Sequence, residues 1–202
     1  MSMSRLESFS DGVIAVAITL LVLNIEVPPT NSGHSLGYEL VKQWPIYAAY
    51  VTSFLTIGII WINHHWMIRR LAEADRSILM LNLLLLLWIA VLPFGTRLMA
   101  TYLKQSQGQS LAAAIYAGLL LVMSITFATL NRHILFRKAH LLHTEIPEER
   151  RHQILERGVT GLIPYGIATA IAPLSAYATL AICAAVAVFY ALPIGAGGAE
   201  TG

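Results

Sequence analysis

The chain contains little charge and a single cysteine, and both shortages narrow the choice of protein class. Only 12% of its 202 residues are charged while 56% are hydrophobic, whereas a soluble domain carries about a quarter charged residues. The 13 basic and 11 acidic residues leave a net charge of +2 and form no basic face, which argues against a nucleic-acid partner. Cys183 has no second cysteine to pair with, so an internal disulfide and a thiolate metal cluster are excluded.

Long apolar runs take the place of the missing charge and predict an all-α, polytopic membrane protein. A helix needs about 20 apolar residues to cross the bilayer core. We predict six crossings in a single membrane domain, residues 1–202, at residues 5–27, 44–68, 79–102, 111–130, 158–173 and 175–193. The last two come from one uncharged run that would measure about 50 Å as a single helix. We therefore place a break at Pro173, with one kinked helix as the alternative.

The basic residues predict the orientation of these crossings, because Lys and Arg concentrate on the cytoplasmic side of a membrane. With the N-terminus inside, ten of the 13 basic residues lie in inner segments, and only Lys42, Arg97 and Lys104 lie outside. We expect a location in the cell membrane with both termini in the cytoplasm. Residues 131–157 then form a cytosolic loop, in which Pro147 predicts the start of a helix, and residues 195–202 form a flexible tail.

Polar residues gather near the inner ends of the first three predicted helices. Such groups inside a membrane usually face the protein and find partners there. We expect a hydrogen-bonded layer that either holds these helices together or takes part in function. Its members are Ser10, Asp11, Asn63, His64, His65 and Asn82. Adjacent histidines point about 100° apart on a helix, which argues against a shared metal ion, and we predict no metal site.

The first helix carries an aliphatic stripe, in which Val16, Leu20 and Leu23 recur at helical spacing with Thr19 beside them. A stripe of this kind usually packs in a core or faces lipid. Here the apolar run is short and lies between Asp11 and Glu26, which suits a helix shielded from lipid by its neighbours. A nucleophile elbow and an HExxH motif are both lacking from the sequence, so we do not expect an enzyme.

Several segments of the chain resemble one family of membrane proteins. RLESFSDG at residues 5–12 and AITLLVL at residues 17–23 are similar to the signature of prokaryotic potassium channels of the transmembrane-protein-175 type. The resemblance continues with WINHH at residues 61–65, with Asn82, and with LPF at residues 92–94. Weaker matches at Tyr165 and Pro173 extend it over nearly the whole chain.

The resemblance implies a six-helix subunit, four copies of which surround one pore lined by the first helix. It places three apolar constriction layers on Val16, Leu20 and Leu23 and a pore-side threonine on Thr19. It also implies an inner hydrogen-bond network that supports the pore helix and contains Arg5, Ser10 and Asp11 together with the histidine and asparagine residues named above. The sequence contains no TVGYG carbonyl filter, which argues against the usual potassium-channel design.

This architecture leads to a hypothesis of function. Rings of four aliphatic side chains narrow a pore and close it by dewetting, and a partly dehydrated potassium ion crosses them at lower cost than sodium. Glu26 at the outer mouth would concentrate cations. We expect potassium and other monovalent cations as permeant ions, contact with membrane lipid, and no cofactor. The alternatives are a proton-coupled secondary transporter using Asp11 with His64 or His65, and a structural subunit that conducts nothing.

Overall fold

The computed structural model describes residues 3–30 and 33–192, without the side chain at position 157. In this part of the chain, helices supply the regular secondary structure, and the extended pairing is limited to one isolated antiparallel bridge between Leu71 and Leu142. The prediction of an all-helical chain is confirmed. The tail predicted at residues 195–202 lies outside the described residues.

Eight α-helices follow one another in the described residues. They are α1 (Met3–Leu20), α2 (Leu36–Lys42), α3 (Trp44–Arg69), α4 (Arg76–Tyr102), α5 (Gln109–Arg132), α6 (Glu148–Thr160), α7 (Leu162–Ile171) and α8 (Ala176–Ala191). A 3₁₀ turn, Leu21–Asn24, extends α1, and a π turn, His133–Arg137, extends α5. With these extensions, α1, α3, α4 and α5 are each long and apolar enough to cross a membrane.

The last two helices are shorter than the bilayer core is thick. α7 has 10 residues and α8 has 16, which correspond to about 15 and 24 Å. They are separated at residues 172–175, where Pro173 provides no backbone N–H and Ser175 caps α8 by accepting the N–H of Ala178 at 3.2 Å. α6 begins directly after Pro147, as the sequence predicts, and Gly161 alone separates it from α7 with a helical φ of −66°. Six crossings therefore stay a prediction.

α4 lies at the centre of the packing and contacts α1, α3 and α5. Gly95 leaves room for the side chain of Leu119 on α5, because a Cβ at this position would lie 2.5 Å from Cδ1 of Leu119. Beside it, Thr96 donates to Ser53 Oγ of α3 at 2.8 Å, and Ser53 also bonds the Tyr116 hydroxyl of α5 at 3.0 Å. All three polar groups are buried and satisfy one another, which joins α3, α4 and α5 in the middle of the core.

The connection between α3 and α4 is bonded to the segment that follows α5. The N–H of Ala72 donates to the Leu141 carbonyl at 2.8 Å, and Lys138 Nζ lies 2.7 Å from Asp75 Oδ2. Asp75 is also the N-cap of α4 and accepts the N–H of Ile78 at 2.9 Å. The Lys138 ammonium, with these backbone and hydroxyl donors, holds the pKa of Asp75 well below its usual range. The two loops are thus joined at one end of the molecule.

We expect Asp75→Asn to lower the melting temperature of the purified protein at pH 7 by about 2–4 °C, because asparagine still caps α4 but cannot pair with Lys138. The pKa of Asp75 is lowered by folding, so its contribution is complete above the pKa of the unfolded chain and is lost as the pH falls towards the folded value. The difference between wild type and variant should therefore shrink below about pH 4. Glu145→Gln, an exposed acid of the neighbouring loop, serves as the control. A difference that grows in acid would contradict this assignment.

Candidate functional site

α1 has one side buried in the chain and one side uncovered. Its buried positions are Leu6, Ser10, Ile14, Ala17 and, in the 3₁₀ turn, Leu21, and they pack against α3 and α4. Positions two residues later are rotated by about 200° and include the exposed residues Val16, Thr19 and Leu23. Only 28% of the span through α1 is buried, against 39 to 44% for the other three long spans. α1 is therefore the least covered of the four.

The residues predicted to form apolar constrictions all lie on this uncovered side. Val16 is 57% exposed, Leu20 43% and Leu23 70%. An open groove of about 380 Å³ runs beside Val16 and Leu20 and is lined by these two residues, by Phe9 of α1 and by Ala90 of α4, among others. Val16 and Leu20 thus share one apolar groove, and Leu23 continues the uncovered side of the helix about one turn later.

Thr19 adds a polar group to the same surface. Its hydroxyl bonds the carbonyl oxygens of Ala15 and Val16 in its own helix, both at 2.9 Å. The hydroxyl proton is therefore used within α1, whereas the hydroxyl oxygen keeps its capacity as an acceptor. An exposed oxygen of this kind can serve as a cation ligand.

Behind the stripe, three buried polar side chains connect α1, α4 and α3. Asn82 of α4 donates from Nδ2 to Ser10 Oγ of α1 at 3.0 Å, and its Oδ1 lies 2.7 Å from Nε2 of His64 on α3. Since the amide oxygen can only accept, the Nε2 of His64 carries the hydrogen. The Ser10 hydroxyl donates a hydrogen bond to the Leu6 carbonyl of its own helix at 2.9 Å. We call Ser10, His64 and Asn82 the buried triad; each is at most 1% exposed.

Two further predicted residues form a separate, partly exposed layer between α1 and α3. The Trp61 indole donates to Asp11 Oδ1 at 2.9 Å, and His65 Nδ1 lies 3.1 Å from Glu7 Oε1. Glu7, Asp11 and His65 each place one possible ligand atom within 4.8 Å of the others. The absence of a metal ion at this point stays a prediction.

The predicted inner layer is thus divided, and two of its members lie outside both parts. Asn63 donates its amide to the Ile59 carbonyl of its own helix at 2.9 Å, and Arg5 is exposed. Glu7 and Trp61 are partners that the sequence reasoning did not identify. Both stand in the segments that carry the family resemblance, but no spacing rule pairs residues that are 50 or more positions apart.

At the other end of α1, the chain is held by different contacts. Asn24 ends the 3₁₀ turn and donates its side-chain amide to the Pro93 carbonyl of α4 at 3.3 Å. Glu26, the predicted outer-mouth residue, lies 3.5 Å from Arg97, and both side chains are about two-thirds exposed. An ion pair so exposed contributes little, and Arg97 offsets part of the field with which Glu26 would attract cations.

Asn82→Ala should lower the melting temperature by on the order of 5 °C, because it leaves the buried His64 without its partner. Asn63→Ala removes the same kind of side chain from an exposed position on α3, next to His64, where only a bond within the helix is lost, and should change little. Thermal unfolding of both variants in detergent measures the difference. Equal melting temperatures would show that the buried triad does not hold the helices.

Comparison with known proteins shows what the chain is similar to. The family model described as endosomal/lysosomal potassium channel TMEM175 matches residues 5–93. A potassium channel of Streptomyces collinus is 40% identical and aligns over 92% of this chain and 90% of its own length. A potassium channel of Chamaesiphon minutus is 36% identical over 93% of each chain.

A solved structure agrees with these sequence matches. The crystal structure of a lysosomal potassium-selective channel TMEM175 homologue from Chamaesiphon minutus superposes with a TM-score of 0.84 at 34% identity, over 95% of this chain and 97% of that one. These relatives are named as channels, which gives the transporter interpretation no support. The resemblance found in the sequence is confirmed. The chain is a membrane protein that belongs to the TMEM175 family.

Proposed function

We propose that this chain forms a potassium channel in which four copies surround one pore, with the uncovered side of α1 facing the axis. Two relatives that align over more than nine-tenths of the chain are named potassium channels. The observation that carries the proposal is the exposure of Val16, Leu20 and Leu23, which the packing of α1 against α3 and α4 leaves uncovered.

The character of α1 favours an axial position over contact with lipid. Its uncovered side combines aliphatic residues with the hydroxyl of Thr19, and acidic residues lie near both ends, at Asp11 and Glu26. Lipid offers such polar groups no hydrogen-bond partners, whereas an ion path contains water and cations with which they can interact. A closed fourfold arrangement would turn each residue of the stripe into a ring of four identical side chains.

The spacing of these rings supports a hydrophobic constriction in place of a carbonyl filter. Val16 and Leu20 are about 6 Å apart along the helix axis, and the next ring, Leu23, lies about one further turn away. A pore lined by such rings excludes water when it is narrow, so widening of the α1 helices would open it. Potassium gives up its hydration water at lower cost than sodium, so the selectivity is modest and arises from dehydration. The Thr19 oxygen would replace part of the lost hydration between two rings.

The proposed placement in the cell membrane follows the distribution of basic residues. The loops joined through Lys138 and Asp75 carry most of the basic residues and would lie in the cytoplasm together with both termini. α7 and α8 would complete six crossings, with α6 leading into α7 from the cytoplasmic surface. The buried triad would then lie near the inner end of the pore helix and support it from behind.

Leu20→Ala should raise the single-channel conductance and lower the preference for potassium over sodium, because it widens one ring and lets water remain on the ion. Reconstituted protein in a planar bilayer, with reversal potentials under bi-ionic conditions, measures both quantities. Ile167→Ala is the matched control, since it shortens an exposed aliphatic side chain of α7. If Leu20→Ala conducts and selects as the wild type does, the stripe does not line the pore.

Leu23→Cys should react with a water-soluble thiol reagent, and the reaction should reduce the potassium current by more than half, because four modified side chains would fill one ring. The native Cys183 is buried, so the wild type provides a low background. Ile167→Cys places a thiol on α7 and should leave the current unchanged after the same treatment. Equal effects on both variants would place Leu23 away from the ion path.

A further inference from the structure

A second groove lies away from α1, between the end of α5 and the helices α6 and α7. It is open, has a volume of about 740 Å³, and does not involve the uncovered side of α1. Apolar side chains line one part of it and basic side chains line another. The apolar part includes Ile125, Val159 and Leu162, and the basic part consists of Arg132, His133, Arg137 and His152.

The two kinds of side chain are separated along the helix axes. On α5, which runs towards the loops, Ile125 comes first and Arg132 about 10 Å later. On α6, which leads back towards α7, His152 comes first and Val159 about 10 Å later. The basic groups of both helices therefore lie at the loop end of the groove, and the apolar groups lie at the end nearer the membrane. This is the polarity of a phospholipid, with a charged headgroup and apolar chains.

The π turn brings the two arginines of the groove together. Lys138 donates its N–H to the His133 carbonyl at 3.0 Å, which closes a five-residue turn. In a regular α-helix, Arg137 would be rotated about 140° from Arg132 and would leave the groove. The wider turn keeps residues five apart on one side. Phe136 of the same turn packs edge-on against His152 with ring centroids 5.0 Å apart, which holds the opposite wall in place.

Among the described residues, no acidic side chain neutralises the charge of this groove. In the described residues, neither Arg132 nor Arg137 lies within 4.0 Å of a carboxylate, and the groove is lined by no acidic side chain. The neighbouring Lys138, by contrast, is paired with Asp75. Both guanidinium groups are exposed and can bind the oxygens of a phosphate with two hydrogen bonds each.

We propose that this groove is a binding site for one anionic phospholipid. Arg132 and Arg137 hold the phosphate, and an acyl chain lies along Ile125, Val159 and Leu162. Basic pockets between helices at the cytoplasmic end of a membrane domain bind anionic headgroups in this way. His133 links the site to the first turn of α4, since its Nε2 lies 2.8 Å from the hydroxyl of Ser77. The proposal does not depend on ion conduction.

Native mass spectrometry of the purified protein, titrated with phosphatidylglycerol or with phosphatidylcholine of the same acyl chains, tests the site. We expect one phosphatidylglycerol per chain to bind in clear preference to phosphatidylcholine. The double variant Arg132→Gln/Arg137→Gln should bind phosphatidylglycerol about ten-fold more weakly, because two charge-assisted contacts are lost. The matched control is Arg69→Gln/Arg76→Gln, which removes two exposed charges at the same end of the molecule but outside the groove. It should bind as the wild type does.

Two further measurements identify the ligand and the place. Inorganic phosphate at the same concentration should not displace the lipid, because it lacks the acyl chains that fill the apolar part; displacement would mean a free-anion site and would overturn the proposal. Val159→Trp should weaken phosphatidylglycerol binding while leaving both arginines intact. If the groove double variant and the control double variant lose phosphatidylglycerol binding to the same extent, the lipid binds only through the general surface charge. The proposed site would then be rejected.

Discussion

Three polar side chains buried in an apolar core determine how the first helix sits on the others. Ser10, His64 and Asn82 are shielded from water, and an unpaired polar group in such a place costs about 1–3 kcal/mol. Asn82 therefore needs both Ser10 and His64 at hydrogen-bond distance, and this requirement restricts the rotation of α1. That rotation turns Ile14 and Ala17 into the core and leaves Val16 and Thr19 on the opposite side. The side of α1 that is proposed to face the ions is thus determined by hydrogen bonds of the buried triad, which does not line the proposed pore.

A single copy of the chain leaves this side uncovered, and in the proposed channel the four copies would cover it for one another. If α1 lined a water-filled pore without contacting the other copies, Val16, Leu20 and Leu23 would be exposed to water. Burial of aliphatic side chains contributes about 1.5–3 kcal/mol each. In the proposed channel, a narrow ring of identical side chains would let these residues contact one another in the closed state. The same contacts would be lost when the pore widens, so closure and assembly would depend on one interaction.

The periodicity and length of the apolar runs made much of the helical framework predictable. The hydrogen-bond partners of residues far apart in the chain could not be predicted in this way. The stripe at Val16, Leu20 and Leu23 follows from helical spacing, and its exposure agrees with that spacing. The sequence also grouped Ser10, His64 and Asn82 by depth. It could not separate them from Asn63, which bonds its own helix, because rotation about the axis depends on neighbours far along the chain. Trp61 and Glu7 were missed for the same reason.

The two ends of α1 are held with unequal strength, which follows from what surrounds them. Near the N-terminal end, Ser10 belongs to the buried triad, and Asp11 accepts a hydrogen bond from Trp61. At the C-terminal end, the helix narrows into a 3₁₀ turn, in which hydrogen-bond geometry is poorer, and an exposed ion pair between Glu26 and Arg97 adds little. The main contact at this end is the hydrogen bond from the Asn24 side-chain amide to the Pro93 carbonyl of α4. A change in the width of the proposed pore therefore meets less resistance around Leu23 than around Val16, which lies closer to the triad.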